Sequence, residues 1–273
     1  MLNTKQLSHS FVVKGERFDI LKDINITAKK GEFVCILGPS GCGKTILLYL
    51  IAGFLEPTSG NIALDNKRIT KPGQDRTMIF QDYVLFPWKT VYENIIYALD
   101  NSNVSMEEKD KLVRHYLRLI DLEYFKDWYP CKLSGGMQQR VAIARALIVN
   151  PEVLLMDEPF SALDAQYRRF LRNALEKVYL ETKKTIVFVT HSINESIYLA
   201  DKIYLLSARP ATIKKVYNVN LPRPRTSDNP RFIKLSKEIE NDLAKEFDKV
   251  INDPSMEESF VKILKLSGGR GIL

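Results

Sequence analysis

Eight consecutive residues combine glycines, a lysine and a hydroxyl in a pattern suited to holding phosphate. They are Gly38, Pro39, Ser40, Gly41, Cys42, Gly43, Lys44 and Thr45. Glycine permits a tight turn in which successive backbone N–H groups face one anion. Lys44 brings a positive charge to the β- and γ-phosphates of a nucleotide, and the Thr45 hydroxyl is a ligand for Mg²⁺. The stretch therefore predicts a phosphate-binding loop.

The flanking residues predict the elements that such a loop requires. Residues 32–37 form a short apolar run typical of a buried strand, and residues 46–52 are typical of a helix that ends at Gly53. The N-terminus of a helix adds a partial positive charge. A strand, a glycine loop and a helix in this order favour nucleotide binding over a fortuitous glycine-rich turn.

An acidic pair stands where nucleotide hydrolysis needs carboxylates. Residues 153–156 predict a buried strand, and Asp157 and Glu158 follow it. Asp157 can reach a metal ion, and Glu158 can polarise a water aimed at the γ-phosphate. Such carboxylates are costly to bury unless a cation pairs with them, so a purely structural role explains them poorly. Gln81 and His191 also follow predicted strands, but alone each is more often a solvated or structural residue.

Composition excludes several classes of protein. The 273 residues suffice for one large domain or a domain with a subdomain, and no apolar run is long enough to predict a membrane span. The N-terminus lacks the pattern of a signal peptide. The three cysteines are too few and too scattered for a disulfide framework or a zinc site, so we expect the protein in a reducing cytosol. The net charge of +7 suits an anionic ligand, an anionic membrane or nucleic acid, and selects none of them.

Periodicity divides the chain into regions. Before about residue 90, short apolar runs predict strands, including a hairpin about residues 14–16. Helical spacing dominates from there to about residue 150, with a capping box at Ser105 and Glu108. Apolar residues follow that box at helical spacing, at Leu112, Tyr116, Leu119 and Ile120. Strands are predicted again at 185–190, 202–206 and 213–217.

The last fifty residues predict an extended linker and a helical tail. Each proline in residues 221–225 biases its predecessor away from helix. Apolar residues then recur at helical spacing: Phe232, Leu235, Ile239, Leu243 and Phe247. Asp253 can cap a further short helix. We expect an amphipathic helix packed on the core, with a regulatory or partner-binding surface as the alternative.

Together these features resemble the motif set of ABC-type ATPases. The matching positions, in family order, are residues 38–45, Gln81, 133–139, 157–158, 161–164 and His191. The Ser-Gly-Gly-x-Gln signature that begins at Ser134 is the most diagnostic, because other P-loop proteins lack it. The resemblance covers about residues 1–220. Thr45 and Ile46 stand where Ser-Thr is the commoner pair, and threonine retains the hydroxyl.

The resemblance implies an α/β fold with a P-loop, RecA-like ATPase core, an antiparallel β subdomain, a helical subdomain and a short helical C-terminal tail. The implied ranges are 1–89 for the first part of the ATP-binding core, 90–150 for the helical subdomain, 151–220 for the second part of the core and 221–273 for the linker and tail.

The same resemblance implies ATP and Mg²⁺ as cofactors, with the loop residues 38–45 binding the nucleotide. Glu158, Gln81 and His191 are the implied catalytic residues, and Thr45, Gln81 and Asp157 are the implied metal ligands. Phe11 is the best match to the aromatic residue that stacks on adenine, and Phe18 is a competitor.

Members of the family pair head to tail with two ATP molecules between the subunits. In such a dimer, the signature of one subunit faces the γ-phosphate held by the other. The matching residues here are Ser134, Gly135, Gly136 and Gln138, and Asp164 is expected across the interface. Whether the second ATPase subunit is identical stays open.

A narrower resemblance joins the chain to the importer ATPases for nitrate, sulfonate and taurine. It rests on residues 81–91, 199–203, 206–210 and 221–225. It implies a peripheral subunit at the cytoplasmic face of the membrane, joined to a permease and indirectly to an extracytoplasmic solute-binding protein. The sequence of this subunit does not identify the solute, and it does not fix the direction of transport.

The implied permease groove lies near Gln81, Phe86 and Trp88, and the competing interpretation is a surface turn with its aromatics packed beneath it. An ABC importer ATPase for a different solute is one alternative, and the rival function is a soluble ABC ATPase acting on nucleic acid or ribosomes. It is disfavoured because no heptads join Lys44 to Ser134 and because the chain holds one cassette. We therefore predict no nucleic-acid partner. The presence of Glu158 and His191 argues against a non-catalytic subunit.

Overall fold

The computed structural model describes residues 1–161 and 165–251, which form parts of two compact units. The strands are β1 (Leu2–Val13), β2 (Glu16–Ile24), β3 (Thr27–Ala28), β4 (Phe33–Leu37), β5 (Ser59–Leu64), β6 (Lys67–Arg68), β7 (Arg76–Ile79), β8 (Val153–Asp157), β9 (Thr185–Thr190), β10 (Lys202–Leu206) and β11 (Ile213–Asn218). The α-helices are α1 (Lys44–Ala52), α2 (Val91–Ile96), α3 (Met106–Leu119), α4 (Gly135–Ile148), α5 (Ala165–Thr182), α6 (Ile193–Leu199) and α7 (Pro230–Ile251). Short 3₁₀ helices cover Tyr97–Leu99, Glu123–Phe125 and Pro130–Lys132.

The first unit comprises Met1–Pro72 and the residues from Val187 onward. One of its sheets is antiparallel, in the order β2-β1-β5-β6, with β3 also paired to β1. β1 and β2 form the predicted hairpin, which turns at Lys14 and Gly15, both with positive φ. Gly60 permits the close approach of β5 to β1, because a Cβ there would lie 2.3 Å from the Gln6 carbonyl oxygen. This sheet is the predicted antiparallel β element.

The other sheet of this unit carries the phosphate-binding loop, residues 38–45. Its strand order is β11-β10-β4-β9, and β4 is buried along its whole length. β4 runs parallel to β10, which pairs antiparallel with β11. α1 begins directly after Gly43 and ends at Gly53, whose φ of 82° is the left-handed conformation that favours glycine. The predicted order of strand, glycine loop and helix is confirmed.

The second unit, Gly73–Ile186, contains β7, β8 and the α-helices α2 to α5 among its described residues. β7 and β8 are parallel, so their carboxyl ends lie at the same edge. The predicted capping box of α3 is present, since Ser105 accepts from the Glu108 N–H and Glu108 accepts from the Ser105 N–H. A second capping box, at Thr90 and Glu93, begins α2.

Helices α2, α3 and α4 share one apolar core. Its buried members include Val91, Ile95, Val113, Leu117, Val141, Ala144 and Ile148. On α3 the buried stripe runs through Val113, Leu117 and Ile120, whereas Leu112 is exposed on the helix surface. The helix was predicted correctly, but its buried face is rotated from the predicted set.

The tail forms the predicted amphipathic helix. α7 buries Phe232, Ile239 and Leu243, while Phe247 is 39 % exposed. The short helix predicted after Asp253 lies outside the described residues. Among residues 1–161 and 165–251, no helix is both long enough and apolar enough to cross a membrane.

Candidate functional site

The phosphate-binding loop wraps around the side chain of one of its own residues, Lys44. Lys44 is buried, and its Nζ donates to the carbonyl oxygens of Gly38 at 3.1 Å and Pro39 at 2.9 Å. Gly43 has a φ of 112°, and a Cβ there would lie 2.8 Å from Ile20 Cγ2, so only glycine fits this turn. The lysine ammonium therefore spans the loop and is held beside its backbone.

The start of α1 suits an anion. Gly43 is its N-cap residue, and among the described residues no acidic side chain stands in the first turn. The first-turn N–H groups of a helix lack intrahelical acceptors and carry its positive partial charge. Burial raises the pKa of the Cys42 thiol, so this loop residue stays protonated and adds no negative charge. The loop and helix together present donors and positive charge.

The two aromatic candidates for adenine stacking are partners in the β1–β2 hairpin. Phe11 lies directly opposite Phe18, and residues so paired share one face of the sheet. The His9 ring meets Phe11 edge-on, with centroids 4.8 Å apart. Both phenylalanines are partly exposed. The two candidates are therefore cross-strand neighbours on one face of the hairpin.

His191 stands in a turn that is tied down on both sides. It follows β9 and precedes Ser192, the N-cap of α6, whose Oγ accepts from the Glu195 N–H at 3.3 Å. Thr190 Oγ1 accepts from the Ser192 N–H at 3.0 Å and donates to Glu195 Oε2 at 2.6 Å. The exposed imidazole is thus carried on a rigid backbone.

In the second unit, the parallel pair β7–β8 brings three predicted residues to one edge. Asp157 is 4 % exposed at the end of β8. Gln81 Nε2 donates to Ser161 Oγ at 3.3 Å, and that hydroxyl donates to the Glu158 carbonyl oxygen at 2.9 Å. Gln81 is therefore linked to the Glu158 backbone through one serine.

Glu158 adopts a strained backbone conformation. Its φ is 39°, in the left-handed region that non-glycine residues rarely occupy. Such a conformation costs about 1–3 kcal/mol and is concentrated at functional sites.

The signature residues form the start of α4. Ser134 is an exposed N-cap whose Oγ accepts from the Met137 N–H at 3.3 Å. Gly135 and Gly136 supply the first turn, and Leu171 of α5 packs near Gly136. The side chain of Gln138, for which a nucleotide contact is predicted, is held by its own chain. Its amide donates to the carbonyl oxygens of two residues that precede the signature, Pro130 and Leu133. Asp164 lies outside the described residues.

A cavity of about 340 Å³ lies in the second unit, beside the segment that follows Gln81. Phe86 lines it, whereas Gln81 and Trp88 are not among its lining residues. Trp88 is 70 % exposed, and its ring centroid lies 5.6 Å from that of Phe86. Of the three residues predicted at the permease groove, Phe86 alone lines this cavity.

The turn that carries these aromatics is rigid. Asn94 is fully buried; its Oδ1 accepts from the Phe86 N–H, and its amide nitrogen donates to the carbonyl oxygens of Phe86, Lys89 and Thr90. Arg145 lies over the Phe86 ring at 5.6 Å, and burial lowers the pKa of its guanidinium. A fixed, partly apolar surface with a partly buried cation is suited to binding another protein.

Residues 21–161 match the family described as ABC transporter. The chain belongs to this family. It is 44 % identical to a nitrate import ATP-binding protein of Synechocystis, covering 88 % of this chain and 90 % of that one. It is 45 % identical to an aliphatic sulfonates import ATP-binding protein of Bacillus cereus, covering 85 % of this chain and 92 % of the relative.

A solved ATP-binding cassette confirms the fold. That cassette is a dimer in a post-hydrolysis state with ADP and Pi, and it matches with a TM-score of 0.70 and 32 % identity over 81 % of this chain and 100 % of its own. The resemblance to ABC-type ATPases, the P-loop α/β fold and the ATPase activity predicted from the sequence are thereby confirmed.

Three residues that support this ABC ATPase were missed by motif analysis. Asn94 and Arg145 lie within predicted helices, where a single polar residue carries no spacing pattern. Arg209 belongs to a segment that the narrower resemblance included, but no role was predicted for it. Arg209 contacts the phosphate-binding loop, and predicting that contact requires knowing that β4 and β10 are neighbours.

Proposed function

We propose that the chain is the ATP-hydrolysing subunit of an importer for a small anion of the nitrate or sulfonate type. The observation that carries this proposal is the rigid aromatic surface about Phe86 and Trp88, which suits a protein partner in a chain whose relatives are named for import. The protein would then sit at the cytoplasmic face of the membrane, with a solute-binding protein as an indirect partner.

Nucleotide binding is assigned to the phosphate-binding loop and the start of α1. Lys44 and the first-turn N–H groups would hold the phosphates, and Phe11 or Phe18 would stack on adenine. Mg²⁺ would be held by oxygen ligands, for which Thr45, Gln81 and Asp157 are the candidates. The burial of the Asp157 carboxylate fits a residue that serves a cation. The metal ion would neutralise charge that develops on the phosphates.

Hydrolysis is an in-line attack of water on the γ-phosphate. We assign Glu158 to orient and polarise that water, since its carboxylate can accept a proton. Gln81 would help to position the water, and His191 would contact the γ-phosphate. The link from Gln81 to the Glu158 backbone through Ser161 supports a common placement of these two groups.

The working form is proposed to be a dimer with nucleotide between the subunits, either of two copies or with a paired ATPase. Ser134 and the first turn of α4 would face the γ-phosphate held by the other subunit. An exposed N-cap serine and glycine N–H groups at a helix N-terminus are suited to that contact. Asp164 is assigned to the same interface, and Gln138 to the nucleotide-binding signature.

The test uses the chain together with its permease. Lys44→Ala should abolish ATP hydrolysis because the phosphates lose their nearest cation, whereas Lys30→Ala, at an exposed position, should leave it unchanged. Vesicles containing the permease and the wild-type chain should take up labelled nitrate or an aliphatic sulfonate only with ATP. Wild-type hydrolysis by Lys44→Ala would refute the nucleotide site, and uptake independent of ATP would refute the importer.

A further inference from the structure

One arginine outside the predicted motifs contacts the phosphate-binding loop. Arg209 follows β10, and its Nε donates to the carbonyl oxygen of Gly41 at 2.5 Å. The contact follows from the sheet, because β4 and β10 are parallel and Leu37 is paired with Leu205. The loops that leave their carboxyl ends therefore meet at one edge.

Arg209 fixes the orientation of one peptide group in that loop. The carbonyl and N–H of a trans peptide point in opposite directions. The Gly41 oxygen accepts from Arg209, and the Cys42 N–H of the same peptide donates to the Pro39 oxygen at 3.3 Å. Gly41 has a φ of 74°, and glycine reorients more readily than other residues. The arginine therefore holds this peptide group of the phosphate-binding loop in one orientation.

The bond to Gly41 is charge-assisted. Burial lowers the pKa of the Arg209 guanidinium, but an arginine remains charged at neutral pH. A desolvated cation forms a stronger hydrogen bond than a neutral donor. The positive charge also lies beside a loop that is expected to hold an anion.

The C-terminal helix holds the turn that carries Arg209. Glu246 of α7 is fully buried, and its Oε2 accepts from the Ala208 N–H at 3.2 Å. Lys249 and Lys214 lie 2.8 Å and 3.3 Å from its other oxygen. Burial by itself would raise the pKa of Glu246, but donation from Lys249, Ala208 and Lys214 lowers it. The carboxylate is thus ionised and is fixed against the residue that precedes Arg209.

We propose that Arg209 is a positioning residue for nucleotide binding and that α7, through Glu246, holds it in place. The contacts run from Glu246 to Ala208, along the chain to Arg209, and from Arg209 to Gly41. This inference rests on the proposed nucleotide site, and it gives the C-terminal helix a function in ATP affinity. Removing either side chain should weaken ATP binding more than it slows the chemical step.

The test compares ATP affinity and turnover in the full chain. Arg209→Ala should raise the Kd and the KM for ATP about tenfold, the effect of losing one charge-assisted hydrogen bond, and change kcat much less. Arg209→Lys should recover part of the affinity because it retains one charged donor. Glu246→Ala should shift Kd in the same direction by a smaller factor. The double variant Arg209→Ala/Glu246→Ala should bind ATP no more weakly than Arg209→Ala, since both changes act on one contact.

Arg231→Ala is the matched control, because Arg231 is an exposed arginine on the same helix. Thermal unfolding without nucleotide measures any general loss of stability, and Arg209→Lys serves in place of Arg209→Ala if the latter does not fold. An unchanged Kd in Arg209→Ala, in Arg209→Lys tested in its place, or in Glu246→Ala would overturn the proposal. The proposal would also be overturned if the increases in Kd from Arg209→Ala and Glu246→Ala multiplied in the double variant. Lys44→Ala is measured alongside: if it is inactive while Arg209→Ala is normal, only this inference fails, whereas an active Lys44→Ala refutes the proposed site itself.

Discussion

Gln81 and Ser161 are joined by a hydrogen bond of 3.3 Å, although eighty positions separate them in the chain. The parallel pairing of β7 with β8 places the segments that follow both strands at the same edge. Ser161 also donates to the Glu158 carbonyl oxygen at 2.9 Å. The Ser161 hydroxyl therefore couples the position of Gln81, a candidate Mg²⁺ ligand, to the backbone of Glu158, the proposed catalytic carboxylate.

Ser161→Ala should lower kcat about threefold to tenfold, as expected from the loss of hydrogen bonds that contribute about 1 kcal/mol each. The KM for ATP should change little, because Ser161 is not among the residues that we assign to hold the phosphates. Steady-state ATPase assays over a range of ATP concentrations measure both parameters. Ser161→Thr retains the hydroxyl and is the control. Equal losses in the alanine and threonine variants would show that the hydroxyl is not responsible.

Glu158→Gln should bind ATP without consuming it, because the amide keeps the side-chain shape but loses the basicity of the carboxylate. Bound ATP then stabilises the dimer by mass action. The variant should shift from monomer to dimer when Mg-ATP is added, and ADP should not replace ATP. Size-exclusion chromatography with light scattering measures the change. A variant that stays monomeric in saturating Mg-ATP would contradict a dimer of identical subunits.

Adding Ser134→Arg to that variant tests the signature contact. The larger, charged side chain would stand at the exposed N-cap of α4 and should return the protein to monomer in Mg-ATP. Ser134→Ala, which adds no bulk, is the control and should weaken the dimer less. If Ser134→Arg leaves the dimer intact, Ser134 does not lie at the interface.

Trp88→Ala should reduce co-purification with the permease, because an exposed aromatic on a rigid turn is an effective anchor. Phe86→Ala should have the same effect, since Phe86 lines the cavity and contacts Trp88. Basal ATP hydrolysis by the isolated chain should change little in either variant. Tyr124→Ala is the control, because Tyr124 is 98 % exposed in the same unit. Unchanged assembly and transport in Phe86→Ala/Trp88→Ala would place the groove elsewhere.

Asp242 makes the attachment of α7 sensitive to acid. Lys215 Nζ and the Tyr217 hydroxyl donate to its Oδ2 at 2.9 Å and 2.7 Å, which holds its carboxyl pKa well below the usual range. Folding therefore favours the ionised form. This contribution to stability is full above the unfolded-state pKa of about 3.9 and is lost as the pH falls through the lower folded-state value.

Asp242→Asn should accordingly lower the Tm at neutral pH and flatten the dependence of Tm on pH in the acid range. Glu240→Gln, at an exposed position on the same helix, is the control and should retain the wild-type profile. Thermal unfolding followed by circular dichroism at a series of pH values measures both. An acid profile of Asp242→Asn that parallels the wild type would contradict the assignment to Asp242.

The local elements were largely predictable because their causes are local. The glycines about Lys44, the capping box at Ser105 and the all-apolar run of β4 each produce their structure through neighbouring atoms. The predictions were weaker where a side chain had a choice of partners. Helical spacing identified α3 but not its buried face, since the partners of Val113 and Leu117 come from α2 and α4. The nucleotide contact of Gln138 stays a prediction, whereas the donation of its amide to the carbonyl oxygens of Pro130 and Leu133 left no pattern in the sequence.

The amino-acid sequence by itself determined the family, the ATPase chemistry and the positions of the phosphate-binding loop and the acidic pair, because these depend on residue types at fixed spacing. Tertiary structure alone decided that Phe11 lies opposite Phe18, that Ser161 joins Gln81 to Glu158, and that Arg209 reaches Gly41. These contacts depend on which strands become neighbours and in which register. That choice is made by burial of the whole core, so it leaves no pattern in any one stretch of the chain.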